Sequence, residues 1–321
     1  MQNIFDVTFP FFALVLCGYV VTRMRWLPLD AIVGLNVFVL YFALPCMLFR
    51  FGAATPIARM LDPSIFGTWL ICALLMVGLG VATTRRGAIG WNDASFGALV
   101  AAFPNSGFMG VPLLVKLLGE RAAAPAIVAL TVDMVITTSL CIALSRISTG
   151  QSHGSGRAVM NALKGMATNP LPWAIGLGCL ASASGLALPV LLTRPVGMLA
   201  DAASPVALFT LGAMLARPRL LATAAKPAAP RLDDVGLIVL YKLLLHPLLV
   251  WVAARLLIAA GAPLDGFAAT VLVLMAALPS ASNVPMLAER FGADAGRIAR
   301  IVLVTTTLAF ISFSAAVALL V

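Results

Sequence analysis

Phe103-Pro104-Asn105-Ser106-Gly107-Phe108-Met109-Gly110-Val111-Pro112 and Leu278-Pro279-Ser280-Ala281-Ser282-Asn283-Val284-Pro285 read as one device written twice. Each sets two prolines around a small polar core that contains an asparagine. Proline lacks an N–H and its ring clashes with the preceding turn, so each stretch interrupts a helix. Between the prolines, Asn and Ser can bond freed backbone and cap the next half-helix. Both stretches lie inside apolar runs, where irregular backbone survives only if protein buries it or it lines a cavity. Paired breaks at corresponding places are a pointer to a transporter's binding site.

Working outward, the rest of the chain places these breaks in lipid. Of 321 residues, 62% are apolar and 10% are charged. A soluble domain carries roughly 25% charge. This composition excludes a soluble globular enzyme and, being poor in charge, a disordered chain. Runs nearly free of charge predict ten spans at 5–22, 31–49, 64–84, 94–118, 122–145, 171–189, 195–216, 235–254, 267–288 and 301–320, each near the length of a membrane helix. No basic residue precedes the first run and Asp6 sits near its start, so 5–22 reads as a retained span and not a cleaved signal. Cys17, Cys46, Cys72, Cys141 and Cys179 all lie in apolar runs without a Cys-x-x-Cys pair. They read as small hydrophobes, with neither a disulfide nor a metal site.

The expected fold is an all-α polytopic membrane protein of ten helices in two inverted five-helix repeats, with broken helices 4 and 9. Residues 1–147 form the first repeat, 148–169 a cytoplasmic linker and 170–321 the second. Five spans per half force the halves into opposite orientation, the arrangement of many secondary transporters. Two internal matches support it. Ala43-Leu-Pro45-Cys-Met-Leu48-Phe49 parallels Ala203-Ser-Pro205-Val-Ala-Leu208-Phe209, and Ile127-Val128 with Thr131 parallels Ile301-Val302 with Thr305. Of the 21 Lys and Arg, 14 fall in loops after odd-numbered spans, 6 on the other side, and Lys242 within a span. The positive-inside rule then puts the odd loops in the cytoplasm and both termini outside. The expected location is the inner (plasma) membrane of a bacterium. The net charge of +9 is thus a topology signal, and nucleic acid is not an expected partner.

Neither break contains Asp, Glu, Lys or Arg. Such a site holds a ligand with helix dipoles, amides and hydroxyls. The N-termini of the second half-helices, near Ser106-Gly107 and Ser282-Asn283, offer N–H groups and partial positive charge to an anion such as a carboxylate. Gly107 and Gly110 would let a ligand approach backbone closely. The candidate substrate-binding residues are Pro104, Asn105, Ser106, Gly107, Gly110, Pro279, Ser280, Ser282, Asn283 and Pro285.

With Asn36 and Ala43-Leu44-Pro45 in span 2 and Leu211-Gly212 in span 7, these breaks give a chain that resembles the auxin efflux carrier family. That family includes plant auxin exporters and bacterial malonate transporter-like proteins. The resemblance implies a ten-helix fold similar to bile acid sodium symporters. It implies a scaffold of spans 1, 2, 6 and 7 and a moving core of spans 3–5 and 8–10, in which spans 4 and 9 cross. It also implies that Asn105 and Asn283 bind the substrate carboxylate. The chain departs from the plant exporters in its short middle loop, residues 146–169, and from sodium symporters in having no acid beside the breaks. No cofactor is expected, and the proton stands ahead of sodium as coupling ion.

Further ionisable residues lie within spans. Asp133 sits mid-span 5, and Lys242 and His246 share a face of span 8 at i, i+4. Such residues are expensive in lipid and mark functional sites by default. Two readings of Asp133 stand open: a proton-coupling carboxylate, or the partner of Lys242 in a buried core pair. His246 precedes Pro247 and reads as a partner for backbone which that proline frees. Asp6 and Asp201 lie nearer the outer interface and read as hydrated. Gly176, Gly178, Ala181 and Gly185 suit close helix packing, within one chain or across a homodimer. No H-E-x-x-H, P-loop, G-x-S-x-G or G-x-G-D element is present, so no enzyme is expected. The expected activity is secondary carriage of a small mono- or dicarboxylate. An anion channel or membrane sensor using the same crossover site is the alternative.

Overall fold

The computed structural model describes residues 2–54, 62–86, 89–147, 170–185, 189–221 and 232–321. The expected linker at 148–169 lies outside the described residues. Within them the regular structure is helical, and one antiparallel bridge joins Pro104 to Ser280. The helices are α1 (Gln2–Arg23), α2 (Leu29–Phe38), α3 (Leu44–Ala54), α4 (Pro63–Thr84), α5 (Trp91–Ala102), α6 (Val111–Leu118), α7 (Ala123–Val132), α8 (Thr138–Ser145), α9 (Pro170–Ser184) and α10 (Val190–Leu221). They continue as α11 (Leu232–Leu240), α12 (His246–Ala259), α13 (Gly266–Ala276), α14 (Val284–Arg290) and α15 (Ala295–Leu320).

Six continuous helical stretches are long and apolar enough to cross a membrane: Leu29–Ala54, Pro63–Thr84, Glu120–Ser145, Val190–Arg217, Asp234–Ala259 and Ala295–Leu320. At a 1.5 Å rise, about 20 residues span a hydrocarbon core of about 30 Å. Phe9–Arg23, Ser106–Leu118, Trp173–Ser184 and Gly266–Ala276 are shorter apolar helices. Three of the six long stretches change pitch midway. Single π turns at Val39–Ala43, Asp133–Thr137 and Tyr241–Leu245 interrupt them, and a fourth π turn covers Ser106–Gly110. Such turns cluster at functional sites. Apolar patterning does not reveal them, because one inserted residue leaves composition unchanged.

The chain divides into two compact units. One comprises residues 1–62, 107–127 and 165–227. In it α1 packs on α10 and α9 packs on α3. Glycines make both contacts close. A Cβ on Gly18 would collide with the Phe209 carbonyl, and one on Gly212 with that of Val15. Likewise Gly178 sits against the Phe49 carbonyl and Gly52 against that of Ile175. Small residues that let backbones approach are the usual cement of helices in lipid. Gly178 is thereby placed in a contact within the chain. Asp201, expected to be simply hydrated, is exposed and ion-paired to Arg50 at 2.6 Å.

The second unit comprises residues 63–106, 128–164 and 228–321. Its centre is α5, buried from Ala94 to Ala102, and α13, buried over most of its length. A helix that is apolar on every face belongs in such a position. Around them α4 packs on α5 and α12, α8 on α5, and α14 and α11 on α15. At one end Arg297, 8% exposed in its side chain, binds Asp234 (Nε to Oδ2, 2.6 Å) and the Asp93 carbonyl (2.8 Å). Asp294 caps α15 by accepting from the Arg297 N–H, and Asp93 accepts from the Asp294 N–H, both at 2.8 Å. Arg297, expected among the loop charges, instead lies in the first turn of α15, which begins at Ala295, where the largely buried Asp234 carboxylate receives it.

Candidate functional site

Residues 103–106 of the first break and all of the second belong to the second unit, and side chains complete their backbone. After Ala102 the chain leaves α5 in an extended conformation at Phe103. Pro104 has no N–H to give the Val100 carbonyl, its helical partner. The Ser280 hydroxyl donates to that carbonyl instead, at 2.7 Å. The Asn105 N–H donates to the Pro279 carbonyl (2.8 Å) and the Ala281 N–H to the Phe103 carbonyl (3.0 Å), which forms the bridge. On the other strand, the Ser280 N–H is lost to the Ala276 carbonyl and donates to Thr305 Oγ1 at 3.3 Å. The freed Ala276 carbonyl accepts from Lys242 Nζ at 2.9 Å. Ser106 folds back on the Pro104 carbonyl through its N–H, at 2.7 Å.

Two side-chain groups of the paired breaks have no partner, Asn105 Nδ2 and Ser282 Oγ, and neither has Thr306 Oγ1, next in sequence to Thr305. Their residues are 3%, 2% and 4% exposed. Buried polar groups are nearly always bonded, so unbonded ones call for a reason. An amide N–H and two hydroxyls are all capable of donating, which is the complement of a carboxylate.

The remaining expected site residues fall out as follows. Asn283 is half-buried at the start of α14, with no side-chain capping bond. Gly107 and Gly110 belong to the π turn Ser106–Gly110 and are grouped with the first unit. Pro285 does not interrupt a helix: it occupies the first turn of a new one, α14, where a missing N–H costs nothing. Pro112 lies where the π turn passes into α6, inside the continuous helical stretch Ser106–Leu118. The second half-helices differ in length: α14 has seven residues, whereas the π turn at Ser106–Gly110 runs on with α6 to Leu118. Thr305, which accepts the Ser280 N–H, was not among the expected residues. The repeat match between Thr131 and Thr305 was the signal that could have found it.

Beside the break lies a second buried group. Asp133, Lys242 and His246 are each 0% exposed. The expected Asp133–Lys242 ion pair is absent among the described contacts. Lys242 Nζ is instead bonded to His246 Nδ1 at 3.0 Å and to the Ala276 carbonyl. An ammonium only donates, so Nδ1 accepts and the ring proton is assigned to Nε2. His246 therefore serves Lys242 and not the backbone ahead of Pro247. Asp133 Oδ1 accepts from Thr137 at 3.2 Å, while Oδ2 has no partner. The Trp69 ring lies 5.4 Å from that of His246. Its indole reaches toward Asp133 without meeting hydrogen-bond geometry.

The sequence matches the model of a family described as membrane transport protein over residues 4–317. It is 29% identical over 314 residues to the "Putative malonate transporter" of Rhizobium meliloti (strain 1021), covering 96% of this chain and 93% of that one. It is 27% identical over 295 residues to "Uncharacterized transporter YfdV" of Escherichia coli (strain K12), with 88% and 86% covered. An "Uncharacterized transporter" of Methanothermobacter thermautotrophicus is 26% identical over 300 residues, with 93% and 92% covered. These relatives are transporters and not enzymes. With a family match across nearly its whole length and helices suited to crossing a bilayer, the chain belongs to the membrane transport protein family, that of the auxin efflux carriers.

Proposed function

We propose that this protein is a secondary carrier of a small carboxylate, bound where the two breaks pair. The observation that carries this reading is the pair of unpartnered, buried donors on Asn105 and Ser282, within the breaks that the Pro104–Ser280 bridge joins. Donors already desolvated and fixed give an anion bonds at little further cost. Asn283 and the Ser106 hydroxyl complete the candidate set. The relative named for malonate makes that dicarboxylate the first substrate to try.

The same reading takes the chain through a bacterial inner membrane ten times, as two inverted repeats with both termini outside. The charge bias of the loops supports the orientation. The reciprocal packing of α1 on α10 and α9 on α3 supports the repeat, since exchanging the halves exchanges these contacts. Spans 3–5 and 8–10 would carry the bound anion as a moving core, alternating its exposure in the manner of an elevator.

Uptake of radiolabelled malonate and related carboxylates by reconstituted protein tests the reading. Saturable uptake with counterflow is expected. Single-channel currents without saturation would replace the carrier by a channel.

A further inference from the structure

The anion site accounts for the breaks but leaves three fully buried ionisable residues without a task. Lys242 is tied to the break itself. Its ammonium is bonded to the last helical carbonyl of α13, three residues before Pro279. The breaks carry no ionisable residue in sequence, yet the fold brings the Lys242 amine to one of them. No carboxylate lies within ion-pair distance of it among the described residues, and Asp133 is within electrostatic reach. Asp133 Oδ2 is buried and unpartnered, as are Trp69 Nε1 and His246 Nε2.

The groups around Asp133 can be enumerated. Its own turn offers the hydroxyls of Thr137 and Thr138. From α4 comes Trp69, from α8 Cys141, and from the π turn between α11 and α12 Lys242 with His246 bonded to it. The buried lengths of α5 and α13 add no ionisable side chain, and Asp93 and Arg297 are bonded elsewhere in the unit. Among the described residues Lys242 is thus the cation available to both Asp133 and an anion at the break.

Two negative groups and one positive group leave an uncompensated charge in a medium where charge is costly. A proton on Asp133 removes it. Anion binding and protonation of Asp133 then favour each other, and linkage makes that reciprocal. From this we infer that Asp133 and Lys242 couple the anion to a proton: Asp133 takes one proton from water on the side where the anion binds and releases it where the anion leaves. With one proton a monoanion moves no net charge, and a dianion such as malonate moves one negative charge. Lys242 supplies the cation, and His246 holds it in position. This inference rests on the carboxylate reading of the break.

The test uses the full-length protein in liposomes containing a pH-sensitive dye, with membrane potential clamped and protein-free liposomes as control. Inward malonate flux by the wild type is expected to acidify the lumen, and an acid exterior to drive accumulation. Asp133→Asn should lose both while still exchanging labelled for unlabelled malonate. Asp133→Glu should recover acid-driven accumulation. Lys242→Met should weaken malonate binding by about tenfold or more. Wild-type malonate flux without proton movement, or driven by sodium in place of protons, would overturn the coupling. So would proton movement that survives in Asp133→Asn. A wild type that neither binds nor moves any carboxylate would instead overturn the reading of the break, and the coupling with it.

Discussion

The Ser280 hydroxyl donates to the Val100 carbonyl at 2.7 Å, across 180 residues of sequence. That carbonyl is the one Pro104 leaves without a helical donor. One break is therefore completed by a side chain from the other, and the two are a single structural unit.

Ser280→Ala should strand the Val100 carbonyl in a buried place. A buried acceptor left unbonded costs about 1–3 kcal/mol. Thermal unfolding in detergent should show that loss, accompanied by reduced uptake. Unchanged stability would mean that another donor replaces the hydroxyl.

Asn105→Ala and Ser282→Ala should behave differently. The groups removed have no protein partner, so unfolding temperature should stay near that of the wild type while carboxylate binding is lost. Asn283→Ala should weaken binding in the same direction. Large losses of stability in the first two variants would mark these groups as structural.

Breaking the Arg297–Asp234 pair should be costly. Arg297→Met leaves Asp234 charged and largely buried, for which about 3–5 kcal/mol is typical. The double variant Arg297→Met with Asp234→Leu should recover much of that. A single variant as stable as the wild type would show that the pair contributes little.

Glycine contacts offer a steric test. Gly18→Val and Gly212→Val should impair folding or insertion, because the Phe209 and Val15 carbonyls occupy the space of the new Cβ. Gly34 meets nothing within 4 Å, so Gly34→Val should be tolerated. Yield of monodisperse protein reports both.

The sequence made much of this legible, through a few residue types. Apolar runs marked the helices because a bilayer leaves little choice of residue. Pro104 and Pro279 marked where α5 and α13 stop, since their missing N–H groups are a local property. Pro285 was misread, because a proline inside a first turn looks the same in sequence as one that breaks a helix. The π turns under Asp133 and Lys242 were invisible for want of a compositional signature. The partners of Lys242 were hidden too: a lysine and an aspartate in two spans suggest a pair, but the Ala276 carbonyl competes for the ammonium only once the break exists in three dimensions. Thr305 entered only as a repeat match, since nothing local says that a threonine will receive the Ser280 N–H.

Titration calorimetry of malonate and related carboxylates into purified wild type, Asn105→Ala and Ser282→Ala tests the central claim most directly. Saturable binding of at least one carboxylate by the wild type, lost in both variants with folding intact, is the expected result. Equal binding by all three proteins would contradict it.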